Sequence, residues 1–198
     1  FRVEPESDDE WAGREGVCPF AGGRGVDQVV GQEMRSTGEV MGDAAEFAVA
    51  FGKSQLGAGQ VLPTQGTVFV SVKDADKDRM VAPVRQLEEM GFKIIATRGT
   101  KRHLEANGIA CEAINKVLEG RPHIVDVMKN GDVGLVFNTT AGAKALSDSK
   151  DIRRTALLHH IPYYTTLAGA VAVTRAIKAL KAGTLRVAPL QSFVTHPT

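Results

Sequence analysis

The chain has 198 residues, and its 24 Lys and Arg residues nearly balance its 23 Asp and Glu residues. This balance excludes the strongly basic field of a nucleic-acid-binding protein, and no apolar run approaches the length of a membrane span. Hydrophobic residues make up 43% of the chain, which is enough to bury a sizeable core. We therefore expect a protein that binds neither nucleic acid nor a membrane.

The N-terminal residues and the cysteines bear on processing and location. The stretch Phe1–Glu6 is acidic, lacks a signal-peptide pattern and does not begin with Met. We interpret the chain as a fragment or a processed product of a longer polypeptide. Cys18 and Cys111 are far apart in sequence and form no metal-binding or redox motif. Reduced thiols of this kind are typical of cytosolic proteins, so we expect a cytoplasmic location.

The first third of the chain shows little periodicity. Residues 1–25 are rich in Gly, Asp and Glu and predict a loop, above all over residues 1–16. The polar stretch Glu33–Gly42 follows neither a helical nor a strand period. Apolar residues recur at helical spacing over Ala44–Leu56, which predicts a helix.

A regular alternation of strands and helices begins near Gly66, so we place a domain boundary between residues 1–62 and residues 63–198. Alternation with short loops predicts an α/β fold with three layers, in which helices cover both faces of a mostly parallel sheet. The predicted strands are Thr67–Val72, Phe92–Ala96, Ile109–Ile114, Asp132–Phe137, Pro162–Thr166 and Leu185–Leu190. A helix is predicted after the first strand, with Asp74 or Asp76 as its cap. Further helices are predicted over Lys101–Asn107, His123–Lys129, Ala143–His160 with a break at Ser147–Ser149, and Ala168–Leu180.

Polar residues follow four of these strands. Ligands of parallel α/β sheets bind outside the carboxyl ends of the strands, so we expect these residues to converge at one edge. They are Ser71, Lys73 and Lys77 after the first strand, Thr97, Gly99 and Thr100 after the second, Asn115 and Lys116 after the third, and Asn138, Thr139 and Thr140 after the fourth.

This combination of residue types favours an anionic ligand. Thr hydroxyls and the N–H groups at helix starts bind phosphate oxygens, and lysines neutralise the charge. Asp148 is a candidate acceptor for a ribose hydroxyl or a base. Taken singly, each residue has an ordinary explanation as a helix cap, a turn residue or a solvated charge. Only convergence of the whole set favours a phosphate site.

Catalytic patterns are missing from these turns. The sequence contains no Ser/His/Asp or Cys/His arrangement, no P-loop and no metal-ligand spacing. Asp74 and Asp76 are predicted caps, while His159 and His160 suit the dipole at a helix end. The pattern therefore predicts anion binding without an acid–base pair and without a metal.

Two sets of motifs carry a resemblance to a known family. The first is Glu33–Gly42, the most specific motif, with Gly25–Asp27 before it, and the second is Asn115–Val117, Glu119–Ile124, Asn138–Thr140, Ile152–Arg154, and Tyr163 with Thr165–Leu167. These motifs resemble those in the C-terminal part of the large subunit of carbamoyl-phosphate synthetase. The first set resembles the segment that closes the second ATP-grasp unit, and the second set resembles the allosteric domain. The resemblance covers about Val17–Leu180 and implies a Rossmann-like, methylglyoxal-synthase-like fold for the allosteric domain.

The resemblance implies a ligand. In the bacterial family this domain binds the inhibitor UMP and the activator IMP at one overlapping site. Tyr163 and Thr165 would be the remnant of an ornithine site, in which Tyr164 replaces the family's Asp. The implied phosphate-binding residues are Lys77, Thr97, Gly99, Thr100, Lys116, Asn138, Thr139 and Thr140, and the implied nucleoside contacts are Ser71 and Asp148.

The resemblance also implies a parent enzyme. That enzyme is a glutamine-dependent ligase that supplies carbamoyl phosphate for pyrimidine and arginine biosynthesis. Its ATP, Mg²⁺ and bicarbonate would bind in synthetase domains outside this chain. Those domains and the glutaminase small subunit would be the partners, and the segment itself would need no cofactor and would catalyse nothing alone.

Two alternatives belong to other functional classes. The first is an independent lyase of the methylglyoxal synthase type. That family has an Asp-Pro after its fourth strand and an Asp in a Gly-Gly-Asp turn, where this chain has Asn138-Thr139 and Gly120-Arg121. The second is a docking piece that binds no nucleotide. We expect the regulatory module, because the carboxylates that a lyase needs to move protons are replaced.

Overall fold

The computed structural model of the chain describes residues 2–7, 10–17, 38–139 and 143–183. Within these ranges the strands form one sheet of three strands and one of five. The strands are β1 (Arg2–Ser7), β2 (Glu10–Val17), β3 (Gly38–Ala44), β4 (Thr67–Ser71), β5 (Lys93–Ala96), β6 (Glu112–Ala113), β7 (Leu135–Asn138) and β8 (Tyr163–Tyr164). The α-helices are α1 (Phe47–Gly57), α2 (Lys77–Glu89), α3 (Arg98–Ala106), α4 (Ile124–Lys129), α5 (Ala143–Leu158) and α6 (Leu167–Lys181), with short 3₁₀ helices at Asp74–Asp76 and Val117–Glu119.

The larger sheet is parallel throughout and has the strand order β6-β5-β4-β7-β8. The chain adds β5 and β6 on one side of β4, and then crosses over to add β7 and β8 on the other. The strand order therefore reverses between β4 and β7. This arrangement confirms the predicted α/β class with a mostly parallel sheet.

Helices cover both faces of this sheet. Val68 and Val70 point to one face, where they belong to a buried cluster with apolar residues of α2 and α6. Phe69 points to the other face and packs with residues of α4 and α5, such as Met128 and Ile152. Full burial of each such side chain contributes about 1.5–3 kcal/mol, which explains why β4 is a continuous apolar run.

The smaller sheet corrects the expectation of a loop over residues 1–25, which is wrong for β1 and β2. These strands pair with each other and with β3 in antiparallel register, so that Trp11 lies opposite Ala44. The polar segment Glu33–Gly42, which showed no strand period, likewise ends within β3. A Cβ atom on Gly42 would overlap the Ala50 carbonyl oxygen of α1, so glycine permits the close contact between β3 and that helix.

Several element bounds also differ from the predicted ones. The two edge strands β6 and β8 contain two residues each, which leaves few unpaired backbone groups at the edges of the sheet. Helix α5 runs without interruption through Ser147–Ser149. The predicted extended segment Leu185–Leu190 lies outside the described residues. Among the described residues, no helix combines the length and the hydropathy that a membrane span requires.

Candidate functional site

Hydrogen bonds tie together the carboxyl ends of β4 and β7 and the start of α3, which follows β5. The Val72 N–H donates to the Thr100 hydroxyl at 3.2 Å. The Lys73 N–H donates to the carbonyl oxygen of Thr139 at 3.1 Å and to its hydroxyl at 3.2 Å, while the Thr139 N–H donates to the Ser71 carbonyl at 3.0 Å. The residues predicted after three different strands thus form one continuous edge.

This edge lies where the strand order reverses. Ser71 is the register partner of Asn138, and the two residues end the neighbouring strands β4 and β7. In open parallel sheets, ligands bind in the crevice at such a reversal point. Ser71 and Asn138 therefore lie at the point where open parallel sheets of this kind bind their ligands.

Thr97 and Thr100 begin α3 but do not act as ordinary caps. Thr97 is the residue before the helix, and its side chain makes no capping bond. Its hydroxyl instead donates to the Thr100 hydroxyl at 3.2 Å, and both side chains are buried. The first intrahelical bond runs from the Lys101 N–H to the Thr97 carbonyl, so the N–H groups of residues 98–100 precede the helical ladder. The predicted helix start at Lys101 was three residues too late.

The ammonium group of Lys77 lies beside this helix start. A Cβ atom placed on Gly99 would be 3.6 Å from Lys77 Nζ, and the lysine side chain is only 19% exposed. A helix start carries a partial positive charge, which disfavours a neighbouring ammonium unless an anion accompanies it. The accompanying anion in the structure is Asp74, whose carboxylate lies 2.6 Å from Lys77 Nζ. The hydrogen bond to Lys77 and its charge hold the pKa of Asp74 below its usual value.

Two further basic residues, Lys73 and Arg98, flank the edge. Lys73 Nζ is 3.6 Å from the carboxylate of Asp76. Arg98 donates to the side-chain oxygen of Asn115 at 3.1 Å. Arg98 is not among the residues predicted from the sequence, although a basic residue in the first turn after a strand-end Thr was the available signal.

The Asn115 amide holds the loop that carries Lys116. Its nitrogen donates to the Pro122 carbonyl at 3.3 Å, and its backbone forms a bridge with His123. The Lys116 N–H donates to the Glu119 carboxylate at 3.1 Å, and the lysine is half-buried. These bonds fix the backbone at Lys116.

Asn138 is buried at the end of β7 and joins three elements. Its side-chain nitrogen donates to the Tyr163 hydroxyl at 2.8 Å and to the Ser149 hydroxyl at 3.0 Å. The amide therefore links β7 to β8 and to α5. Thr140, another predicted site residue, lies outside the described residues, as does the side chain of Asp148.

Tyr164, which stands where the family has Asp in the predicted ornithine remnant, is partly buried and packs against the core. The Tyr164 hydroxyl donates to the Gln55 side-chain oxygen of α1 at 3.0 Å. Its ring centroid lies 6.4 Å from that of Phe51 and 6.3 Å from that of Phe137. Tyr164 thus joins β8 to α1, while the neighbouring Thr165 is exposed.

The predicted caps of α2 require a correction. Asp76 occupies the position before α2, but its side chain makes no capping bond, and the Asp74 carboxylate pairs with Lys77. Both carboxylates are directed to lysines of the site, because the 3₁₀ turn at Asp74–Asp76 places acid and base three residues apart. Among the described residues, no three His, Cys, Asp or Glu side chains are grouped to bind a metal ion.

Comparison with known proteins gives the class of this domain. Residues 79–165 match the family described as the MGS-like domain, and this range contains β5, β6, β7, β8 and most of α2. The chain therefore contains an MGS-like domain of the Rossmann-like type, in agreement with the strand order.

Individual relatives give a more specific comparison than the domain family does. The chain is 56% identical over 192 residues to the carbamoyl phosphate synthase large chain of Brucella suis biovar 1, and 57% identical over 190 residues to that of Mesorhizobium japonicum. It is 49% identical over 181 residues to that of Myxococcus xanthus. These matches cover 97%, 96% and 91% of this chain, but only 16%, 16% and 17% of the relatives. The resemblance to the C-terminal part of these large chains is confirmed, and the chain spans about one sixth of their length.

Proposed function

We propose that this chain is a regulatory region of a carbamoyl phosphate synthase large chain, and that it binds a nucleoside monophosphate at the edge formed by β4, β5 and β7. The observation that carries the proposal is the position of Lys77. Its side chain is largely buried, and its ammonium lies beside Gly99 in the first turn of α3, the helix whose start also holds the bonded hydroxyls of Thr97 and Thr100. A phosphate group is the ligand whose charge and acceptor oxygens match this set.

In this proposal each group of residues has its own role. The N–H groups at the start of α3, around Gly99, donate to phosphate oxygens, and Lys77 and Lys116 neutralise the charge. The turn Asn138–Thr140 lines the phosphate site on the side of β7. Ser71 and Asp148 contact the nucleoside. UMP as inhibitor and IMP as activator are the effectors that the resemblance implies.

Regulation would follow from a difference in affinity between two conformations of the parent enzyme. A nucleotide shifts the activity only by that difference, typically about 1–3 kcal/mol. A route toward the remainder of the large chain is offered by α1, because Tyr164 of the MGS-like domain is bonded to Gln55 of that helix. The remaining synthetase domains, with their ATP, Mg²⁺ and bicarbonate, and the glutaminase small subunit would be the partners.

Calorimetric titration tests the proposal. We expect UMP or IMP to bind the chain and uridine, which lacks the phosphate, to bind far more weakly. Thr97→Ala and Lys116→Ala should both weaken binding of the nucleotide. Unchanged affinity in both variants would contradict the site assignment. Formation of methylglyoxal from dihydroxyacetone phosphate would instead establish the lyase alternative.

A further inference from the structure

We propose that Asp74 is an internal competitor for the phosphate group, and that its carboxylate sets the affinity of the site. This inference rests on the proposed function, because it concerns the same anion-binding edge. The carboxylate neutralises Lys77, and an incoming phosphate must either displace it or share the lysine with it. Asp74 would then lower the affinity rather than contribute to binding.

The two partners of this ion pair differ in exposure. The Lys77 side chain is 19% exposed, and its ammonium lies against the start of α3. The Asp74 side chain is 95% exposed, although its carboxylate oxygen is 2.6 Å from Lys77 Nζ. The lysine is therefore held in place while the carboxylate faces water. Rotation of the carboxylate away from Lys77 costs little, because it regains hydration and ion pairs with an exposed partner are weak.

Asp74 has no capping function that would explain its position. The residue before the 3₁₀ turn is Lys73, and the residue before α2 is Asp76. Neither start is capped by a side-chain hydrogen bond. The contact of Asp74 that the structure describes is the one with Lys77.

Charge explains why the carboxylate opposes the ligand. A phosphate monoester carries about −1.5 to −2 charges at pH 7, so a carboxylate beside it is repelled. The neighbouring pair of Lys73 and Asp76, 3.6 Å apart, reduces the positive charge of the edge in the same way. Arg98 in the first turn of α3 adds to the positive charge of the edge, since its partner Asn115 is neutral and does not offset it. Removal of the Asp74 charge leaves Lys77 free to pair with phosphate alone.

A comparison of two charge-neutralising variants tests the inference. We expect Asp74→Asn to bind inorganic phosphate and UMP about two- to fivefold more tightly than the unmodified chain in calorimetric titrations at low ionic strength. The matched control is Asp78→Asn, which changes the net charge equally. Asp78 is 90% exposed, and its carboxylate lies 3.1 Å from His103 Nε2. We expect its affinity to remain unchanged, and the gain in Asp74→Asn to shrink as salt is added.

The outcomes separate this inference from the proposed function. If the unmodified chain binds UMP but Asp74→Asn binds it equally or less tightly, the competitor role is wrong and the effector site stands. An equal gain in Asp78→Asn would show a general charge effect and would also overturn the inference. If neither the unmodified chain nor the variants bind phosphate or UMP, the proposed function fails and the competitor role fails with it.

Discussion

The side-chain amide of Asn138 donates to the Tyr163 hydroxyl at 2.8 Å, and this bond joins the end of β7 to the edge strand β8. The same nitrogen donates to the Ser149 hydroxyl of α5. A lyase of the methylglyoxal synthase type would have the Asp of its Asp-Pro pair at the position of Asn138. The amide therefore fixes neighbouring elements where a lyase would hold a proton-transferring group.

We expect Asn138→Asp to weaken UMP binding by about tenfold, because a carboxylate at the end of β7 repels the phosphate. The fold should persist, since the hydroxyls of Tyr163 and Ser149 can rotate to donate to the new carboxylate. Calorimetric titration gives the affinity. Asn130→Asp is the matched control, because Asn130 follows α4 at the other edge of the sheet. Equal affinities of the two variants would contradict this role of Asn138.

The fold was predicted correctly where the signal is local. A buried strand, a Thr-rich turn and a helix start follow one another within ten residues at Ile95–Leu104, and the sheet rule then brings such turns together. The fold was missed where pairing is remote. Strand β2 is defined by its partner β3, with Trp11 opposite Ala44, and its own residues have no strand period. Likewise, no local pattern indicates that Tyr164 bonds to Gln55, 109 residues earlier.

The hydroxyl of Thr100 should contribute to stability as well as to the site. Thr100→Val leaves the N–H of Val72 and the hydroxyl of Thr97 without their acceptor. We expect a loss of about 1–3 kcal/mol in the free energy of unfolding, measured with urea. Thr174→Val is the matched control. Thr174 is equally buried, but its acceptor, the Ala170 carbonyl, keeps its helical bond. Equal losses in both variants would show that the Val72 bond is not the cause.

The contact between β8 and α1 should be energetically coupled. Tyr164→Phe removes the donor to Gln55 but keeps the ring against Phe51 and Phe137. In a double-mutant cycle with Gln55→Leu, urea unfolding should give a coupling of about 0.5–1.5 kcal/mol. A coupling near zero would mean that this bond does not fasten α1 to the MGS-like domain.

Cys111 should react slowly with alkylating reagents. Burial raises the pKa of its thiol to about 11, an effect that Lys101 only partly offsets. The thiolate is the nucleophile, and only about one Cys111 side chain in a thousand is deprotonated to the thiolate at pH 8. We expect alkylation of the Cys111 peptide by iodoacetamide, followed by mass spectrometry, to be far slower than that of free cysteine and to accelerate up to about pH 11. A rate equal to that of free cysteine at pH 8 would contradict the raised pKa.

The position of Lys77 is tested most directly by the affinity of Lys77→Met for UMP, compared with that of Lys129→Met. Both changes remove one positive charge and keep most of the side chain. Lys129 ends α4, so it lies at the edge of the sheet opposite to Lys77. We predict by calorimetry that Lys77→Met binds UMP at least about tenfold more weakly than the unmodified chain, while Lys129→Met binds it equally well. Equal affinity of Lys77→Met and the unmodified chain would contradict the proposed phosphate site.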